Sequence, residues 1–486
     1  MAMGSERGAC AQCRVTMVDQ NEIEMSRVPI LVILGSTGCG KSRLSIELAR
    51  RFSGEIISAD SMQVYKGLDI VTAKVTPAEK QMAPHHMLDI VDPLTNFKVI
   101  DFRDMALPII DNLLARRCLP IIVGGTNYYI ESLLWEILLT DPKTISSTLT
   151  DPAATNPIES RSDDRYNIRA DWQNDDDEDD ATTPAKRSKF DTRMCDDSNE
   201  ELHRKLMEID PEMARTLHPN NRRKVIRSLE VFYRHGKRHS ELLKNQRIAG
   251  GSGLGGPLRY PNSIILWLRC NAKVLDDRLD SRVDDMLQAG LVQELLDFHR
   301  RYNEQRMKSN TSADYTKGIF QTIGFKEFHA YLILPEEERA SEKGKQLLQQ
   351  GLDNLKLYTK RYSRKQTKWV MNRLIRRGDR QVPPVYSLDC TDVTKWDSRV
   401  LEPAAAIISA ILRGEKPKQR PLNENIENQK ITDSSTNVYN YCEVCGKIFV
   451  EENQWQAHLK GGKHKRALKR KEKQAQKTQI DTSENL

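Results

Sequence analysis

Residues 32–42, VILGSTGCGKS, constrain this chain more than any other stretch: an apolar run feeds a Gly-x-x-x-x-Gly-Lys-Ser loop that opens a helical pattern. Gly35 and Gly40 let the backbone curl so that successive amides converge on one anion at a helix N-terminus, where the dipole also favours negative charge. Within the loop Gly35, Ser36, Thr37, Gly38, Cys39, Gly40, Lys41 and Ser42, Lys41 adds a point charge. Ser42 is placed to ligate a magnesium ion that bridges phosphate oxygens. A phosphate site is therefore expected, and it needs a strand before it and a helix after it.

The neighbouring sequence supplies both. PILVIL (29–34), EIIS (55–58), LPIIVGG (119–125) and NSIILWLRC (262–270) read as buried strands. RLSIELARRF (43–52) and DFRDMALPIIDNLLARR (101–117) carry apolar residues at three and four spacing, as helices packed on a sheet do. The alternation predicts an α/β fold, a P-loop parallel sheet core with crossover helices. Long amphipathic helices are expected over 274–302 and 351–377, and shorter ones over 199–245.

A chain of 486 residues exceeds what one core usually supports, so several units are expected. Their limits read as a flexible N-terminus 1–28, a first part of the core 29–139, an insertion 140–198, a helical insert 199–260, core completion with basic helices 261–413, a linker 414–440, a small module 441–470 and a basic tail 471–486. The 140–198 stretch is poor in apolar residues and includes DDDEDD, so it cannot bury enough surface to fold and reads as disordered.

The net charge of +7 is modest, but its distribution is uneven: residues 359–377 hold eight Lys/Arg and no carboxylate. Nine cysteines without a secreted framework suit a reducing compartment. No apolar run approaches the ~18–20 residues of a membrane span, so no membrane partner is expected, and a monomer is. PAKRSKFD (184–191) is similar to a nuclear import signal, and the N-terminal arginines leave mitochondrial import open, so cytoplasm with mitochondrial and nuclear pools is the expected location.

A phosphate loop does not fix the reaction. A nucleoside triphosphatase wants a strand ending in a metal-holding carboxylate. Here the 119–125 strand runs into Gly124, Gly125 and Thr126, whereas the 55–58 strand places Asp60 at its C-terminal end, where ligands bind in open α/β sheets. A P-loop kinase of a nucleoside or small alcohol is one rival. A non-catalytic RNA-binding protein with a vestigial loop is another, which intact Lys41, Ser42, Asp60 and Thr126 disfavour.

Six segments together, GSTGCGKS (35–42), ISADSMQVYKGLDIVTAK (57–74), PHHMLDIVDP (84–93), LPIIVGGTNYY (119–129), LHPNNRRKVIRSLEVF (217–232) and GIFQTIGFKEF (318–328), resemble the tRNA dimethylallyltransferases, or tRNA isopentenyltransferases. The resemblance covers 29–405 apart from the insertion. It implies that the loop grips the diphosphate of dimethylallyl diphosphate and that a five-carbon group passes to the exocyclic amine of adenosine 37, beside the anticodon of a tRNA. It further implies that Lys41 and Arg227 contact the diphosphate, that Ser42 binds Mg²⁺, that Asp60 is the base and that Thr126 lies at the reacting groups. Asp60, Ser61, Met62, Gln63 and Gln321 become implied tRNA contacts near the target base.

A target base stacked in an anticodon loop must be extruded, with cations along the backbone and aromatics to receive bases. Lys360, Arg361, Arg364, Lys365, Lys368, Trp369 and Arg373 are the candidates, with Tyr358 and Tyr362 near the same helical face. The alternative is a solvated basic helix whose aromatics pack on the core.

The C-terminal module carries its own chemistry. Cys442, Cys445, His458 and His464 follow C-x2-C-x12-H-x5-H, the spacing with which a hairpin and one helix close a tetrahedral Zn²⁺ site. The module resembles matrin/U1-type zinc fingers, and nine Lys/Arg lie between 460 and 477.

Overall fold

The structure, a computed structural model, describes residues 28–136, 197–248, 255–308, 318–376, 380–424, 440–445, 447–449 and 452–471. Its centre is a six-stranded sheet, wholly parallel, formed by β1 (Ile30–Gly35), β2 (Gly54–Ser58), β3 (His85–His86), β4 (Leu119–Val123), β5 (Ser263–Arg269) and β6 (Val385–Asp389) in the order β3-β2-β4-β1-β5-β6. The main helices are α1 (Lys41–Phe52), α2 (Val99–Ala115), α3 (Asn127–Leu134), α4 (Asn199–Ile209), α5 (Arg222–His235), α6 (Ala272–Gln288), α7 (Leu291–Lys308), α8 (Glu342–Val370) and α9 (Glu402–Leu412).

Strands covered on both faces need apolar residues at successive positions rather than alternate ones. In β1, Ile30, Val32 and Leu34 enter one core with Phe102, Ala106 and Ile110 of α2, while Leu31 and Ile33 enter a second with Leu44 and Leu48 of α1 and Ile407 and Ile408 of α9. The strand order has a direct consequence for function. β4 lies between β1 and β2, so the segments leaving the C-terminal ends of these three neighbours meet at one edge of the sheet: the glycine-rich loop, Asp60 and Thr126. Residues 197–248 build a small core of their own from Leu202, Leu206, Ala214, Leu217, Val225 and Leu229.

Several expectations change. The 274–302 span is two helices, because Gly290 takes a left-handed φ of +98° after α6 and turns the chain into α7. The 351–377 helix starts earlier, where Ser341 accepts from Gly344 N at 3.2 Å as its N-cap, and passes after Val370 into a π-type turn, Met371–Ile375. Strand β6 was not foreseen. Nor was the start of the linker: Val385 N donates to Asn423 Oδ1 at 3.0 Å and Gln419 Nε2 to Ser387 O at 2.8 Å, so residues 419–423 line the sheet edge that β6 would otherwise leave open. The acidic insertion up to residue 196, with 184–191, lies outside the described residues, as do 1–27, 425–439 and 472–486. Among the described residues, no helix is long and apolar enough to cross a membrane.

Candidate active site

The loop after β1 is held in shape from several directions. Gly40, at φ +84°, precedes α1, and a Cβ there would stand 2.7 Å from the Trp396 ring, so both conformation and space require glycine. Lys41 Nζ donates to Ser36 O at 3.0 Å, folding its ammonium back over the loop. Ser36 Oγ donates to Ser363 O at 2.9 Å and lies 2.8 Å from Thr367 Oγ1 on α8. Thr37 is gripped twice: its N–H donates to Gln366 Oε1 at 2.8 Å, and its hydroxyl accepts from Arg282 Nη1 at 2.9 Å.

Asp60 and Thr126 meet because β2 and β4 are neighbours that leave the sheet almost in contact. Ala59 N donates to Val123 O at 2.8 Å and Thr126 N to Ala59 O at 3.2 Å, and a Cβ on Gly124 would fall 2.1 Å from that same Ala59 oxygen. Thr126 Oγ1 accepts from Ser61 N at 2.9 Å and donates to Ser61 Oγ at 3.0 Å. Asp60 Oδ1 accepts from Met62 N at 3.0 Å, a local turn bond. Its Oδ2 faces Gly125, 3.3 Å from where a Cβ would stand.

The electrostatics suit proton uptake beside an anion. Burial pushes the Asp60 carboxyl above its ordinary range, although the Met62 amide, Lys41 and Arg282 pull the other way. Burial lowers Lys41, with Arg282 adding to the effect and Asp60 opposing it. The hydroxyl of Tyr362 is pushed well up by burial and by Asp60, so it stays protonated and serves as a donor. The neighbouring Cys390 thiol lowers the Cys39 thiol below its ordinary range against the effect of burial, and Lys41 and the Ser36 backbone add to the lowering.

The structure places the remaining expected residues unevenly. Arg227 lies on α5, inside the separately cored insert, 3.4 Å from Glu230 and with 39% of its side chain exposed. The guanidinium that the structure places on the loop is that of Arg282, whose Nη1 donates to the Thr37 hydroxyl. Sequence reading passed over it because RLDSRVDDML looks like an ordinary amphipathic helix; the available signal was an arginine one turn beyond Arg278, among carboxylates. Gln63 braces its own loop, accepting from Ser58 Oγ at 3.0 Å and donating to Thr72 O and Ala73 O at 3.2 and 3.3 Å. The Met62 sulfur accepts from Thr322 Oγ1 at 3.0 Å, which brings Gln321, at the end of a 3-10 turn (Gly318–Gln321), beside the loop that follows Asp60.

On α8 the basic face is partly neutralised. Lys356, Lys360 and Arg364 each lie 2.6 Å from Asp284, Asp280 and Asp276 of α6, a ladder with a spacing of four on both helices. Arg373 stands 3.6 Å from the buried Glu131, and Arg361 lies over the Tyr358 ring at 5.4 Å. Lys365 and Lys368 face outward. Trp369 is only 5% exposed and belongs to the core, so its ring offers no face to a base; its place on the stripe reflects packing rather than stacking.

In the C-terminal module, β7 (Asn440–Cys442) and β8 (Lys447–Phe449) form an antiparallel hairpin followed by α10 (Glu452–Lys460). The ligand atoms of Cys442, Cys445, His458 and His464 all lie within 4.8 Å of one another. Two thiols and two imidazoles at that separation fit tetrahedral zinc. With so little core, the metal supplies most of the folding energy of such a unit. Metal analysis is expected to find about one zinc per chain, and none in Cys445→Ser, whose residues 440–471 become protease-sensitive while the core melts unchanged.

A glycine-rich anion loop on the central strand, with a half-buried carboxylate leaving the next strand but one, defines a P-loop α/β protein that acts on a phosphorylated compound. The family model described as IPP transferase matches residues 63–373, that described as isopentenyl transferase matches 28–90, and that described as zinc-finger double-stranded RNA-binding matches 439–465. The chain belongs to the IPP transferase family. It is 46% identical to the tRNA dimethylallyltransferase of Mus musculus and 45% identical to that of Homo sapiens, each match covering 91% of this chain and 86% of the relative. A solved eukaryotic dimethylallyltransferase acting on tRNA superposes with a TM-score of 0.66 at 29% identity, covering 93% of this chain and 99% of that one.

Proposed function

We propose that the chain transfers a dimethylallyl group from dimethylallyl diphosphate to the exocyclic amine of adenosine 37 in tRNA. The observation that carries this reading is the meeting of a phosphate loop, two cations and the half-buried Asp60 carboxylate where three neighbouring strands end, in a member of this family. The amine nitrogen forms a bond to the allylic carbon as the bond from that carbon to the diphosphate oxygen breaks. The electron pair leaves with diphosphate, and the amine proton passes to Asp60.

An adenine amine is a weak nucleophile, so the work of the site is to hold the leaving group and receive the proton. Lys41, Arg282 and the amides of residues 35–42 hold the diphosphate, and Thr126 and Ser61 orient the acceptor side. Ser42, exposed in the first turn of α1, is the residue that would hold Mg²⁺; when bound, the ion neutralises charge on the departing diphosphate. Outward cations of α8 and the basic residues from Lys460 onward meet the tRNA backbone. The test is to incubate unmodified tRNA with dimethylallyl diphosphate and Mg²⁺ and digest the product. N6-dimethylallyladenosine with matching diphosphate release is expected; unmodified adenosine would overturn the reading.

We place the protein in the cytoplasm with mitochondrial and nuclear pools: the basic segments at 184–191 and 460–477 support the nuclear pool, and the N-terminal arginines, set among Glu6, Asp19, Glu22 and Glu24, leave the mitochondrial one open. Imaging of a C-terminally tagged full chain is the check, and exclusion from both organelles would remove the two minor pools.

A further inference from the structure

One buried side chain connects the two halves of the site. Gln366 of α8, 4% exposed, accepts from Thr37 N through Oε1 at 2.8 Å and donates from Nε2 to Gly125 O at 3.0 Å. Tyr362, one turn earlier, donates its hydroxyl to the same Gly125 oxygen at 3.0 Å. Gly125 has no room for a side chain, since a Cβ would lie 2.8 Å from Gln366 Nε2. The carboxamide therefore spans from the loop that holds the leaving group to the turn that carries Thr126 and faces Asp60. Both bonds require a planar group that accepts at one end and donates at the other, and only one orientation of the amide satisfies them. The helix carrying it is tied to α6 by the three ion pairs, and α6 brings Arg282 to the same Thr37.

We infer that Gln366 is a positioning residue for the transfer step: its carboxamide sets the span between the departing diphosphate and the group that takes the amine proton. The inference rests on the reaction proposed above. Reacting atoms held near attack distance lose rate steeply when displaced, on the order of 10²-fold for about 1 Å.

The test compares kcat, KM for dimethylallyl diphosphate and stem-loop affinity across pH 6–8 for wild type, Gln366→Glu and Gln366→Met. At pH 8 the introduced carboxylate keeps the acceptor and loses the donor. Its kcat is expected to fall by about 10- to 10²-fold, with KM and stem-loop affinity within about threefold of wild type. Burial and the neighbouring Asp60 raise the pKa of that carboxyl, so on lowering the pH it protonates, regains a donor toward Gly125 O, and the deficit relative to wild type shrinks. Gln366→Met, of similar length and without polar atoms at its end, keeps a constant deficit. The titratable groups around the carboxamide are Asp60 after β2, Lys41 of α1, Arg282 of α6 and Tyr362 of α8, and all three proteins share them. Full activity of Gln366→Glu at pH 8, equal deficits of the two variants at every pH, or unfolding of both would each overturn the inference and leave Gln366 a packing residue. Absence of transfer by the wild type would instead overturn the reaction itself.

Discussion

Replacing Asp60 by alanine is expected to lower the rate of dimethylallyl transfer by about 10²-fold or more, the loss associated with removing a positioned base. The expectation rests on three features: one carboxylate oxygen bonded to Met62 N, the other facing Gly125, and a raised proton affinity caused by burial. Only the ionised form accepts a proton, so single-turnover rate should rise with pH through a limb above the ordinary aspartate value of about 3.9, and Asp60→Asn should lack that limb. The linkage has the opposite sign. Because the folded carboxyl holds its proton more tightly than the unfolded one, folding takes up a proton here; that contribution is present below the unfolded pKa and is lost as pH rises through the folded value. At neutral pH ionised Asp60 therefore costs stability. Asp60→Asn should melt a few degrees higher by thermal unfolding while failing in transfer, a trade of stability for activity. A variant that transfers at the wild-type rate would remove Asp60 from the mechanism.

Arg282→Ala is expected to cost about 10²- to 10³-fold in kcat, because a cation already fixed at the departing charge needs no reorganisation at the moment of reaction. The guanidinium is fixed on the Thr37 hydroxyl at 2.9 Å. A truncated side chain leaves a loop whose amides still bind diphosphate, so KM should rise far less than kcat falls. Guanidinium ion added in solution is the informative control: partial recovery in Arg282→Ala, and none in Asp60→Ala, assigns the loss to missing charge. A deficit confined to KM would show instead that Arg282 binds substrate and transition state alike.

The sequence carried the phosphate loop, the parallel core and the finger because each depends on local chemistry: glycines before a Lys-Ser pair, apolar runs, and a fixed Cys/His spacing. Asp60 and Thr126 were legible as residues leaving strand ends. What brought them together was the strand order, which puts β4 between β1 and β2 and which no single stretch encodes. Arg282 and Gln366 were missed for the same reason. Each sits on a helix far along the chain, 245 and 329 residues from Thr37, and looks ordinary within its own periodicity. Trp369 shows the converse error, for an aromatic within a basic stripe gives the same pattern whether it faces solvent or core.

The most direct measurement is transfer of label from dimethylallyl diphosphate, and separately of labelled γ-phosphate from ATP, to an unmodified anticodon stem-loop with three adenosines 3′ of the anticodon. The account predicts that the purified chain with Mg²⁺ moves the five-carbon label onto RNA and moves no phosphate. Phosphate transfer or ATP hydrolysis without prenyl transfer would contradict it and make the loop that of a kinase.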